Sequence, residues 1–300
     1  IIITIQNLKS RKKMKNLKKL ITAVFVLFLA STTFAQSKTE KTEKSLLWEI
    51  SGKGLAKPSY LFGTIHMICS ADFIMTEQAK NAFAKTDKLT LEIDMSDAEQ
   101  MAAMQKMAMG DKPLSETLTP EEYTRLDALV QKHAGISVKQ LDSFTLLTVM
   151  SVLSTKSFGC MDLKFYEMEF IEMAKNAKKP VSGLETVEDQ VALFENGITT
   201  QDILEMMESS DQSVTKKMVE TYKNQDLQEM YTLMTDVKIM SPEAKKLMLD
   251  NRNNNWLKAM PAMMKKEPVF FAVGAAHLPG KNGVIELLKK AGYSVKAVTK

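Results

Sequence analysis

YLFGTIH (residues 60–66) and VFFAVGAAH (residues 269–277) decide the reading of this chain of 300 residues. Each is a short run rich in aromatic and β-branched residues, the pattern of a strand, and each ends in a G-x-x-H turn. The turns are Gly63-Thr64-Ile65-His66 and Gly274-Ala275-Ala276-His277. Glycine at such a place lets the backbone turn tightly or pass close to a ligand. Beyond the first turn, residues 76–85 read as a helix and KLTLEID (88–94) as a strand. Beyond the second, residues 282–290 read as a helix and 293–298 as a strand. Strand, G-x-x-H, helix, strand therefore occurs twice. This predicts a duplicated α/β (α+β) core whose two halves close over one site, with a large helical insert at about 97–264. The chain has only 3 histidines, and two of them hold the matched position.

The N-terminal residues do not belong to that core. From Met14 the sequence runs MKNLKKLITAVFVLFLASTTFAQSK, with a lysine-rich start, an apolar stretch at 20–30 and a small-residue end at Ala35. This is the pattern of a secretory signal peptide. Its apolar stretch is short against the roughly 20 residues of a membrane span. We expect residues 1–35 to be leader and signal peptide, with Met14 as the natural start, and residues 45–300 to form a single domain. The protein is then exported, periplasmic or secreted, with no stable transmembrane anchor after cleavage. Residues 1–35 carry seven Lys and Arg and no acid, so their removal turns 40 bases against 36 acids into 33 against 36. The basicity belongs to the leader, and a nucleic-acid partner loses its electrostatic support.

The rest of the chain adds detail. Residues 46–50 and 60–62 make a hairpin around a Gly/Pro loop, and Thr119-Pro120-Glu121-Glu122 is a helix start. Further helices are expected at 143–157 and 163–177, and a short strand at 180–185. Met101, Met104, Met107 and Met109 form a helical face expected to be core. The asparagine cluster at 251–255 is a poor helix former, so tertiary contacts must dictate its conformation. Export permits a disulfide, and Cys69–Cys160 is the simplest pairing.

Among side chains that could carry chemistry, His66 and His277 suit neutral imidazole ligation of a transition metal, with Glu92 as a carboxylate ligand. A water on such an ion would be acidified toward neutral pH. The alternative is that each histidine is a satisfied structural residue at a turn. In KLTLEID, alternation puts Thr90, Glu92 and Asp94 on one face, at the end of a strand expected beside that of His66. Asp94 could equally be solvated, Glu185 and Asp162 could cap the helices that follow them, and Arg252 could lie on a surface. His133 fits a helix C-terminus. The sequence contains no G-x-S-x-G, H-E-x-x-H, P-loop or dinucleotide fingerprint.

Trp48, YLFGTIH, LTLEID (89–94), MDLKFYEM (161–168), KPVSGLET (179–186), NRNNNW (251–256) and VGAAHLPGKNGVIELLKKAGYSV (273–295) together resemble the TraB/GumN family. That family is related to the TIKI metalloproteases and, more distantly, to erythromycin-esterase and ChaN-like proteins. The resemblance implies a hydrolytic site using a divalent metal, manganese or cobalt in the TIKI branch, with zinc also compatible. It matches His66 and His277 to the motif histidines and Glu92 to the acid after the first motif. Arg252 and Asn253 match a polar pair that would orient substrate or stabilise an oxyanion, and Asp162 and Glu185 match acids of the middle segments. It further implies a peptide or protein substrate. The ChaN resemblance allows a non-catalytic protein instead, one that binds haem, metal or a peptide in the same cleft and modulates a signal.

Overall fold

The computed structural model describes residues 43–299 apart from Asn196, so the leader and signal peptide lie outside the described residues. Among the described residues eight strands are present: β1 (Leu47–Ser51), β2 (Ser59–Thr64), β3 (Met67–Cys69), β4 (Lys88–Leu91), β5 (Leu163–Phe165), β6 (Val181–Gly183), β7 (Val269–Gly274) and β8 (Ser294–Ala297). Six of them form one mixed sheet in the order β6-β4-β7-β2-β1-β8, and β3 pairs with β5 separately. The expected hairpin is β1 against β2, with Trp48 opposite Leu61. The fold is α/β, and both copies of strand, G-x-x-H, helix and strand are present.

Four successive strands from one edge, β6, β4, β7 and β2, run parallel. β2 and β7 are buried at every position, as expected of parallel strands covered on both faces. The two turns emerge side by side from neighbouring strand ends, because Thr64 pairs with Gly274. Gly63 permits that approach, since a Cβ there would lie 3.1 Å from the Cα of Ala275. In open parallel sheets ligands bind outside the carboxyl ends of the strands, and here those ends carry Glu185, Glu92, His277 and His66. One face of the sheet meets an aromatic cluster in which Phe62 packs on Phe170 at 5.3 Å and Phe83 on Phe270 at 5.5 Å between ring centroids.

Four sequence expectations need correction. β4 does not lie beside β2; β7, which comes 177 residues after the end of β4, is inserted between them. β4 also stops at Leu91, because the backbone turns at Glu92 and its carbonyl accepts from the N–H groups of both Leu184 and Glu185. Asp94 consequently leaves the face of Glu92 and accepts from the backbone and hydroxyl of Ser96. Residues 163–165 are strand rather than helix, held against the segment after His66, so Asp162 precedes a strand and caps no helix. The methionine stripe of the helix Ala98–Ala108 is only half-buried, and Met109 is 49% exposed.

Between β4 and β7 the chain is mostly helical, and residues 114–207 build an apolar cluster of their own around Leu126, Val130, Val149 and Leu204. The helix Pro120–Ala134 starts with a full capping box of Thr119 and Glu122 and ends at Gly135, as its sequence demands. His133 lies in its last turn, with Nε2 buried and unpartnered among the described residues.

Cys69 and Cys160 form a disulfide that closes a separation of 91 residues and ties β3 to the end of the helix Leu146–Ser157. Loop-closure entropy makes such a bridge worth roughly 2–4 kcal/mol. A Cys160→Ser variant is therefore expected to unfold at clearly lower urea than the oxidised wild type, matching wild type under reductant; equal midpoints for the oxidised proteins would contradict this.

Candidate active site

Four strand ends and two helices, Tyr166–Asn176 and Arg252–Lys266, supply the site. His66 follows β2 with φ +59°, a left-handed conformation uncommon outside glycine. Its carbonyl is held by the N–H of Tyr166, the first residue after β5. The pairing of β3 with β5 thereby delivers Glu167, whose Oε1 accepts from Thr64 at 3.0 Å and bonds His66 Nδ1 at 2.9 Å. Glu167 lies within MDLKFYEM but was not singled out from the sequence; an acid in the first turn of a helix is ordinarily explained by the helix dipole. What marks it is the β3–β5 pairing, which is a tertiary fact.

His277, only 4% exposed, is held from the other side. Its Nδ1 bonds Asn253 Oδ1 at 2.6 Å, and the Asn253 amide donates to the carbonyls of His277 and Asn282. With Nδ1 protonated toward Asn253, Nε2 is the lone-pair nitrogen and accepts from Arg252 Nη1 at 3.2 Å. Trp256 packs on the His277 ring at 4.4 Å between centroids.

Arg252 is buried at the centre. Its Nη2 donates to Glu92 and to Glu185, Nε donates to Glu185 at 3.0 Å, and Nη1 donates to the Met248 carbonyl and His277. Glu185 also accepts from Trp256 Nε1 and Gln190. It is no helix cap; Thr186 and Asp189 cap the helix that follows. Glu92 accepts from Gly274 N–H at 2.7 Å with its other oxygen. Directly before Arg252 the chain makes a π-helical segment, Lys246–Asn251, which ends where the asparagine-rich stretch begins. The sequence indicated only that tertiary contacts govern there; the extra residue per turn is the kind of irregularity often found at functional sites.

The charges are strongly perturbed. For His66, whose side chain keeps 56% of its surface accessible, partial loss of surrounding water works against the cation, but the Glu167 carboxylate outweighs it and raises the pKa to about 9. Burial, helped by the nearby Arg252 and His66 against the pull of Glu92, pushes His277 down to about 3. Glu92 is opposed by burial, yet Arg252, both histidines and the Gly274 N–H hold it well below the usual carboxylate range. His66, raised above its ordinary 6.5, adds stability that is complete below pH 6.5 and lost as pH climbs through 9. His277, depressed below 6.5, adds stability that is complete above 6.5 and lost as pH falls toward 3. Chelator-treated protein should therefore melt highest near neutral pH, and Glu167→Gln should remove much of the alkaline decline. Proton NMR titration should show His66 moving back toward its ordinary value in that variant; a His277 that titrates near 6.5 would contradict the assignment.

Both imidazoles have Nδ1 tied to an oxygen, as metal-ligating histidines do; this leaves Nε2 of His66 for a ligand, while Nε2 of His277 accepts from Arg252 Nη1 and would have to exchange that bond for an ion. His66, Glu92 and His277 crowd the point where Gly274 lacks a side chain. A Cβ there would lie 3.1 Å from His66 Nε2, 3.2 Å from Glu92 Oε1 and 3.5 Å from His277 Cδ2. Among the described residues no group of three or more His, Cys, Asp or Glu is arranged to hold an ion as it stands, since both Glu92 oxygens are bonded to Arg252 and Gly274. The donor chemistry nonetheless fits: two imidazole nitrogens and a carboxylate around one small cradle.

A family model described as the TraB/PrgY/gumN family matches residues 46–297. The chain belongs to this family. Among curated relatives it is similar to the Metalloprotease TIKI1 proteins of Danio rerio (23% identical, covering 84% of this chain and 63% of the relative), Xenopus tropicalis (25%, 90% and 66%) and Homo sapiens (23%, 88% and 64%). The chain thus spans just under two thirds of the length of these relatives. No solved structure matches it significantly. The TraB resemblance read from the paired turns is confirmed, and the names of the relatives are those of metalloproteases.

Proposed function

We propose that this TraB-family protein is an exported, divalent-metal-dependent hydrolase that cleaves peptides or proteins. The observation that carries the proposal is the meeting of His66 Nε2, Glu92 Oε1 and His277 at Gly274. His66, His277 and Glu92 would hold the ion, with manganese, cobalt or zinc as candidates. When bound, it would acidify a water and polarise the carbonyl of the substrate. The protein's own residues prepare that site. Glu167 and Asn253 fix the imidazole tautomers, and Trp256 walls His277 from water. A carboxylate held as far into its ionised form as Glu92 is a weak proton acceptor and a good ligand. Arg252 and Glu185 keep that carboxylate in place, and the Arg252 guanidinium supplies positive charge where an oxyanion would develop. The Asn253 amide is fully engaged, so it positions His277 rather than the substrate.

Export is supported by the leader pattern of residues 1–35 and by the Cys69–Cys160 bridge, which suits an oxidising compartment. Among the described residues no helix is long and apolar enough to cross a membrane. We take residues 45–300 as one domain. The test is elemental analysis of the purified protein, then digestion of a peptide library with added manganese, cobalt or zinc. Cleavage is expected with metal and not with chelator, and His66→Ala and His277→Ala should each abolish it. Unchanged cleavage in both variants would overturn the proposal. Metal or haem binding without any cleavage would favour the binding protein that modulates a signal.

A further inference from the structure

Beside the paired turns lies a cavity of about 260 Å³ whose walls are unlike the charged cluster it adjoins. Met218, Met230, Met234, Met240, Met248 and Phe158 line it, while His66, Arg252 and His277 form its floor. With Met67, six methionines line the cavity, and they come from separate segments: β3, the helix Gln212–Lys223, the helix Leu227–Met234, the loop at 240 and the π-helical segment. A small apolar cluster of Met206, Met240, Ala244, Leu249 and Ala276 ties this wall directly to the second G-x-x-H turn. The wall is therefore continuous with the site and not a remote void in the helical region.

We propose that this cavity is the specificity pocket for one large apolar side chain, Met, Leu or Phe, next to the peptide bond that is cut. The proposal rests on the peptidase function above and names its substrate class. Size is the first argument: about 150 Å³ of apolar cavity holds a benzene ring, so about 260 Å³ takes one large side chain but no extended acyl chain. Chemistry is the second. Methionine is unbranched and polarisable, so a wall of six adapts to linear, branched and aromatic shapes and selects by polarity rather than outline. Rejection of charge is the third. All five N–H donors of Arg252 are already taken, by Glu185 twice, Glu92, the Met248 carbonyl and His277. Both Glu92 oxygens are likewise engaged. A basic substrate side chain entering the pocket would lose its water and find neither Glu92 oxygen free, and an acidic one would find no free Arg252 donor and could meet only His66, whose Nε2 is the ring nitrogen offered to the ion.

The test uses the full protein and a set of end-blocked peptides identical except at the positions flanking the cut. Mapped cleavage sites should carry Met, Leu or Phe at one fixed position. Replacing that residue by Ala or Asp should lower kcat/KM about 10-fold or more. Binding of the same peptides to chelator-treated protein, followed by fluorescence anisotropy, should rank them in the same order without any turnover. Met234→Lys should invert the ranking toward Asp and Glu, and Met234→Leu should preserve it; Met218→Lys serves if the first variant melts early. Ranked binding with no cleavage would remove the peptidase function and leave the pocket standing. Cleavage indifferent to that position, a ranking untouched by the lysine variants, or binding of a fatty acid but of no peptide would overturn the pocket.

Discussion

Arg252→Ala is expected to lower the stability of the protein by about 3–5 kcal/mol in urea unfolding at pH 7, and to remove hydrolysis with it. The size follows from what is left behind. Glu92 and Glu185 have side chains only 11% and 9% accessible, and Arg252 is the cation that each of them meets. A buried pair contributes little when whole, because desolvation offsets attraction, but removal of one partner leaves the other charge buried and uncompensated. Here one removal orphans two carboxylates. Arg252→Lys should rescue only part of the loss, since a single ammonium cannot reach the acceptors that a planar guanidinium bridges. Arg252→Met combined with Glu185→Gln should recover more than Arg252→Met alone, because one orphaned charge has gone. A loss below about 1 kcal/mol in Arg252→Ala would mean that the cluster is solvated and the account of the site is wrong.

Gly274→Ala is expected to reduce metal-dependent cleavage by about 100-fold or more while the melting temperature moves by only a few degrees. Gly274 has φ −53°, which alanine adopts readily, so backbone strain is not the cause. The added Cβ would press against His66 Nε2 and Glu92 Oε1 at 3.1 and 3.2 Å, closer than such contacts normally occur. Those atoms would have to move by several tenths of an ångström, and displacements of that order at a reacting centre are expensive in rate. Metal affinity, measured by calorimetry, should fall in step. Full activity with intact affinity in Gly274→Ala would show that the reaction does not occur at this cradle.

The two lesions separate the functions of the cluster. Arg252 holds folded structure and site together, whereas Gly274 only keeps three donors within reach of one point. If stability falls for the first and activity alone for the second, the charge network and the cradle are distinct devices built on neighbouring strand ends.

Much of this was legible in the residues. The doubled strand and G-x-x-H pattern predicted the α/β class and both copies of the unit, and the rarity of histidine directed attention to His66 and His277. Glu92 was found as an acid at a strand end, although for the wrong strand neighbour. Local signals such as the helix start at Thr119-Pro120-Glu121-Glu122 and the helix after the first turn were read correctly because they depend on residues a few positions apart. Contacts across long separations were not legible. The place of Glu167 depends on a three-residue strand whose partner lies nearly a hundred residues away, and residues 163–165 have no periodicity that would reveal it. The π-helical turn before Arg252 likewise answers contacts to Glu92 and Glu185 rather than any local preference.

By itself, then, the sequence determined the α/β class, the two turns and the residue types around them, because hydrophobic period, glycine placement and caps act over a few residues. Tertiary structure decided that β7 enters between β4 and β2, so that Glu92 and the two histidines meet at one glycine rather than along an edge. It also decided that Arg252 turns inward and that Glu167 and Asn253 hold the imidazoles. The physical reason is that strand order and the pairing of buried charges are set by the free energy of the whole packed core, in which each carboxylate must find a cation or a donor wherever in the chain one lies.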